Sequence, residues 1–197
     1  MTASERVALL AGAGTELGQQ LARQLAAHGW RVALNDLLPT RIEPLAEELQ
    51  TAGGQVGAYA ADLTRKLALQ TMLQGVLERW GRVDALVFIP SVRPDGVVLD
   101  MDEWDWHRGI DATLTAGFLI TQSVGRVMRE IGGGTIVYAG AGEAVSAVYT
   151  AAAAGLQALA HRAAPELATH KIRLVWQPGS QAADVLAELA GLTIGAK

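Results

Sequence analysis

Short runs of apolar residues alternate along the chain with longer segments whose apolar positions recur every three or four residues. Arg6 to Ala11 reads as a buried strand. Thr15 to His28 reads as a helix, with Leu17, Leu21 and Leu25 on one face and Gly29 as its stop. The alternation then repeats. Strands are expected at Arg31–Asn35, Gln55–Ala60, Val83–Ile89, Thr135–Ala139 and Ile172–Trp176. Helices are expected at Thr40–Ala52 (with Pro44 in its first turns), Thr64–Trp80, 102–130, Ala147–Thr169 and Gln181–Ala190. Gly53-Gly54, Gly81 and Gly132-Gly133-Gly134 end three of these helices. Ser91 to Asp100 is irregular, and Leu192-Thr193-Ile194 is a candidate terminal strand.

Strands that are apolar on both faces belong to a sheet covered on both sides. Strict strand–helix alternation makes the strands parallel, joined by right-handed crossovers. The pattern therefore predicts one doubly wound α/β domain over residues 1–197. Composition agrees, with half the residues hydrophobic and 18% charged. The net charge is −4 and the basic residues are scattered, which argues against a nucleic-acid partner. With no cysteine, disulfides, thiolate chemistry and cysteine-type zinc sites are excluded. No apolar run reaches the ~20 residues that span a bilayer. The first residues also lack a secretory signal pattern. A soluble cytoplasmic protein with no membrane partner is expected.

The candidate chemistry begins where the first strand ends, at Ala11-Gly12-Ala13-Gly14-Thr15-Glu16-Leu17-Gly18. Glycines here let the backbone turn tightly and approach a pyrophosphate, whose charge then sits at a helix N-terminus. Such a turn also punctuates ordinary strand-to-helix connections. Its context favours a dinucleotide: it follows the first strand, and Asp36 closes the second strand 24 residues after Gly12. An acid at that place can accept from a ribose 2′-hydroxyl and repels a 2′-phosphate.

These residues resemble the short-chain dehydrogenase/reductase family. Gly12 and Gly18 match the first and last glycines of its Thr-Gly-x-x-x-Gly-x-Gly turn, and Asp36 matches its NAD-selecting acid. Asp62-Leu63 is similar to its adenine-contacting pair after strand three. Val83 to Val87, Glu103-Trp104-Asp105, Gly132 to Val137 and Pro178-Gly179 also follow its order. The resemblance implies a Rossmann-like parallel sheet of order 3-2-1-4-5-6, with a seventh strand where the terminal candidate lies. It implies NAD as cofactor, held by Gly12, Gly14, Thr15, Leu17, Gly18, Asp36, Asp62 and Leu63. The family's middle glycine is Glu16 here, and a carboxylate beside a pyrophosphate would repel it.

The resemblance also locates the family's chemistry. Tyr149 matches the proton-transferring tyrosine. The lysine four residues later, which lowers the tyrosine pKa and holds the nicotinamide ribose, is Ala153. The orienting serine is Ala141, and the helix asparagine that anchors a water relay is Thr113. The Asn-Asn-Ala-Gly after strand four reads Phe88-Ile89-Pro90-Ser91. The three lysines, Lys66, Lys171 and Lys197, are not placed to reach Tyr149 in such a fold. A tyrosine with no cationic neighbour keeps a pKa near ~10, roughly 4 kcal/mol from a proton-transfer match at neutral pH. Ser91, Ser146 and Thr150 are the available hydroxyls nearby. The other reading of Tyr149 is a half-buried aromatic opening a helix.

Two segments are shorter than the family pattern: Ala141 to Tyr149, and the 18 residues after Gly179. Both shortenings fall where the resemblance places a substrate. Helices 102–130 and 147–169 correspond to the pair that packs in the family's dimers. Small residues from Ala151 to Gly155 would permit close approach. Self-association, or association with an intact relative, is therefore expected. The four histidines show no metal-ligand spacing, and no metal is expected. Three functions stay open: a catalytically silent binding or structural subunit, an NAD(H)-dependent oxidoreductase with atypical catalytic residues, and an NAD sensor.

Overall fold

A computed structural model of the chain describes residues 5–140, 146–179 and 181–190. The strands are β1 (Val7–Ala11), β2 (Arg31–Asp36), β3 (Val56–Ala60), β4 (Ala85–Phe88), β5 (Gly134–Ala139) and β6 (Ile172–Gln177). The helices are α1 (Glu16–Ala27), α2 (Pro39–Thr51), α3 (Lys66–Trp80), α4 (Glu103–Ile110), α5 (Ala116–Ile131), α6 (Ala147–Ala168) and α7 (Ala182–Ala190). All six strands form one parallel sheet in the order β3-β2-β1-β4-β5-β6. This is the doubly wound domain read from the alternation, with the Rossmann-like strand order that the resemblance implied. The proposed seventh strand lies outside the described residues.

β1 shows why its sequence is apolar at every position. Ala8 and Leu10 point to one face, where they pack with Leu21 of α1, Ile42 of α2 and Val185 of α7. Val7, Leu9 and Ala11 point to the other, with Leu69 of α3, Ile120 of α5 and Leu156 of α6. Side chains alternate across a strand, so a strand covered on both faces must be apolar throughout. Leu9 and Leu10 are both fully buried, each worth about 1.5–3 kcal/mol relative to an exposed side chain. At the start of β1, the buried Asp84 accepts from the Val7 N–H at 2.9 Å and from Arg82 at 2.6 Å.

The predicted helix 102–130 is a correction. It is three pieces, with a π-helical turn at Asp111–Thr115 between α4 and α5. Across the widened turn Thr115 Oγ1 donates to Asp111 Oδ1 at 3.0 Å. Helix α3 begins at Lys66 rather than Thr64. The Asp62 carboxylate accepts from both the N–H and the hydroxyl of Thr64, at 2.9 and 2.7 Å, and so forms a side-chain-closed turn first. The remaining boundaries agree within one or two residues. No helix among the described residues is long and apolar enough to cross a membrane.

Between β1 and β4 the strand order changes direction. The connections from β1 and β4 leave to opposite sides, opening a crevice at the carboxyl ends of the strands. Gly12, Asp36, Asp62 and Leu63 lie along that edge.

Candidate nucleotide-binding site

Gly12 sits at φ +88°, a conformation that favours glycine. A Cβ added to it would come within 2.3 Å of the Ile89 carbonyl oxygen after β4. The turn is held from below by Asn35, whose carbonyl accepts from the Gly12 and Ala13 N–H groups, each at 2.9 Å. The Asn35 side chain donates to the carbonyls of Tyr59 and Ala61 at 2.9 and 3.2 Å. Asn35 therefore ties the ends of β1, β2 and β3 together. Sequence reasoning passed over it, although a polar residue closing an apolar strand was the available signal.

Thr15 caps α1. Its Oγ1 donates to the Gly12 carbonyl at 2.8 Å and accepts from the Gly18 N–H at 3.1 Å. The N–H groups of Glu16 and Leu17 lie in the first turn, where a helix supplies no acceptor of its own. Together with the helix dipole they suit an anion. A Cβ on Gly18 would lie 2.6 Å from the Gly12 carbonyl oxygen, so glycine keeps α1 close to the turn. Glu16 does not obstruct this site. It is exposed, and its carboxylate accepts from Gln20 at 3.4 Å one turn along the outer face of α1.

Asp36 is buried beside the turn. One carboxylate oxygen accepts from the Gly14 N–H at 3.2 Å and the other from the Leu38 N–H at 3.1 Å. A Cβ on Gly14 would meet Asp36 Oδ2 at 2.6 Å, so this glycine exists to let the carboxylate in. Each oxygen keeps a lone pair for a ribose hydroxyl. Gly12, Asp36, Asp62 and Leu63 line a cleft of about 700 Å³, within the range of small-molecule sites. Gly12, Gly14, Thr15, Leu17 and Gly18 thus lie in the turn from β1 into α1, beside Asp36, and Asp62 and Leu63 follow β3 along the same cleft.

Tyr149 lies at the start of α6, where Ser146 caps the helix by accepting from the Tyr149 N–H at 3.4 Å. Tyr149 is 2% exposed, not half-buried. Its ring face carries a cation: the Arg93 guanidinium carbon is 5.1 Å from the ring centroid. The expectation of a tyrosine without cationic company is therefore corrected, because the cation is an arginine distant in sequence and not one of the three lysines. An arginine in the irregular stretch before Pro94 was the overlooked signal. A contact of this kind contributes roughly 0.5–2 kcal/mol and places charge over the ring. Ala153, one turn on, offers no amine. Thr113 is fully buried within the π-helical turn, and its hydroxyl has no partner among the described residues. Ala141 lies outside the described residues. No group of three or more His, Asp or Glu among the described residues is placed to hold a metal.

A doubly wound parallel sheet with a glycine turn and an acid at the end of β2 defines a dinucleotide-binding class of α/β protein. Comparisons place the chain within that class. The family model described as short chain dehydrogenase matches residues 6–190, and the chain belongs to the short-chain dehydrogenase family. It is 31% identical over 171 residues to a hydroxy(phenyl)methyl-succinyl-CoA dehydrogenase subunit from Thauera aromatica, covering 85% of this chain and 69% of the relative. It is 31% identical over 197 residues to a 3-oxoacyl-acyl-carrier-protein reductase from Synechocystis, covering 96% and 80%. Among solved structures, a metagenomic short-chain oxidoreductase in complex with NADP superposes with a TM-score of 0.85. That match has 29% identity and covers 94% of this chain and 90% of that one.

Proposed function

We propose that this protein is a nucleotide-binding, catalytically silent member of its family, acting in the cytoplasm as a subunit of a homo-oligomer or of a complex with an intact relative. The observation that carries this reading is the pairing of a buried Tyr149 with Ala153 in place of an amine. A bound nicotinamide would supply a hydride acceptor or donor. This chain would have to move a proton at the Tyr149 oxygen, and the group that the family uses to lower that tyrosine's pKa is missing. Arg93 lies over the ring face, a placement different from that of an amine one helical turn after the tyrosine.

NAD is the proposed nucleotide. The Asp36 carboxylate suits a ribose 2′-hydroxyl and repels a 2′-phosphate. The NADP in the metagenomic relative is a property of that protein. Support for a subunit role comes from apolar surface on α4 and α5, where Trp104 is 66% and Phe118 46% exposed, and from a relative that is itself a dehydrogenase subunit by name. A second reading, an active oxidoreductase with atypical proton transfer, draws on the dehydrogenases and reductases among the relatives.

An NAD titration followed by the fluorescence of the five tryptophans tests the proposal. Binding is expected, weakened about tenfold or more in Asp36→Ala, which loses hydrogen bonds to a charged acceptor. No NADH-coupled turnover is expected over panels of carbonyls and alcohols. Turnover abolished by Tyr149→Phe would establish the second reading, and absence of binding at millimolar NAD would reject both.

A further inference from the structure

Arg93 stands where the cleft meets Tyr149. It lines the same cleft as Gly12, Asp36 and Asp62, and its guanidinium lies over the Tyr149 ring. Its base is fixed. A residue preceding proline is held in extended backbone, and Pro94 is buried. Pro94 sits against Gly109 of α4: a Cβ there would be 3.4 Å from Pro94 Cδ and 2.7 Å from Val148 Cγ2 of α6. Pro94, α4 and α6 therefore interlock, and Arg93 projects from that junction across the tyrosine. A guanidinium stays charged at every accessible pH and packs flat on an aromatic face.

Asp36, Asp62 and Leu63 line this cleft together with Arg93. Asp36 accepts ribose hydroxyls, the first turn of α1 suits a pyrophosphate, and Asp62-Leu63 lies along the adenine side of the cleft. Beneath Arg93, Tyr149 is 2% exposed, and Ala153 one turn on carries no polar group for a second ribose. We infer that Arg93 closes the tyrosine side of the cleft, so that the protein recognises the adenosine-diphosphate portion of a nucleotide and is indifferent to a nicotinamide riboside attached to it. The ligand class is adenosine diphosphates with or without a further sugar. The inference rests on the proposed nucleotide-binding reading and names the portion that is read.

Two measurements on the full chain test it. In tryptophan-fluorescence titrations, ADP-ribose and NAD are expected to bind with dissociation constants that agree within about threefold. NAD binding more tightly than that margin overturns this inference and leaves the nucleotide-binding reading standing. Failure of both ligands to bind overturns the two together. Separately, nitration of Tyr149 by tetranitromethane, followed by peptide mass spectrometry, is expected to be about fivefold or more faster in Arg93→Ala than in the unaltered chain. An unchanged rate means that Arg93 covers nothing, and the inference falls. The ligand comparison uses the unaltered protein, so it does not depend on how the variant folds.

Discussion

Two buried hydroxyls, those of Tyr138 and Thr113, have opposite circumstances here. Tyr138, in β5, is fully buried, and its hydroxyl meets Thr121 Oγ1 at 2.5 Å and the Gly117 carbonyl at 3.3 Å. Burial pushes its pKa up to about 12, since an anion would be desolvated, while the hydrogen bond from Thr121 pulls slightly the other way. A raised pKa means that the folded chain holds its proton longer than the unfolded chain. The associated stability is complete below pH ~10 and is lost as pH rises from there through about 12. Denaturant unfolding at pH 8 and pH 11.5 should show that Tyr138→Phe lessens the alkaline loss, an effect on the order of 2 kcal/mol. At pH 8 the same change should cost about 1–2 kcal/mol through the hydrogen bonds removed. Thr113 presents the reverse case. Its buried hydroxyl has no partner among the described residues, so Thr113→Val keeps the shape and removes the desolvated group. An increase of about 1 kcal/mol in unfolding free energy is the expected result.

At the scale of elements, α1 depends on how it begins. Thr15 joins the glycine turn to the helix with one hydroxyl that donates and accepts. Thr15→Ala should lower stability by about 1 kcal/mol in chemical denaturation. It should also weaken nucleotide binding, because the first-turn N–H groups lose their fixed direction. Most of this element was readable in the chain: the apolar spacing of Leu17, Leu21 and Leu25 gave its buried face, and the glycines gave its entry. The α4–α5 segment was only half readable. Helical periodicity ran through residues 102–130, but a single extra residue in a π-helical turn shifts the face of everything before it without interrupting the apolar pattern. The short turn at Asp62–Thr64 was likewise hidden, because a carboxylate that closes a turn looks the same in sequence as one that awaits a ligand.

For the whole molecule, one sheet is covered by α1, α2 and α7 on one face and by α3, α5 and α6 on the other. That leaves Trp104 and Trp106 of α4 and Phe118 of α5 exposed, at 66%, 42% and 46%. Exposed large aromatics on neighbouring helices of a well-covered domain suit a protein partner. Size-exclusion chromatography with light scattering should report a species larger than a monomer, alone or mixed with an intact relative. Trp104→Glu with Phe118→Glu should reduce that association. A monomer that takes up no intact relative would count against the subunit reading.

By itself the sequence determined the alternation, the parallel sheet and the glycine–acid pair, because these follow from local periodicity and from residues with few conformational options. It also carried Ala153 at the position where the resemblance implies an amine, since residue identity needs no coordinates to be seen. The tertiary structure alone decided how Asn35 binds three strand ends and how Glu16 turns outward. It alone brought Arg93, 56 residues earlier in the chain, onto the face of Tyr149. These are long-range placements, set when the crossovers pack α4 and α6 beside each other. No local spacing encodes which side chain then covers which.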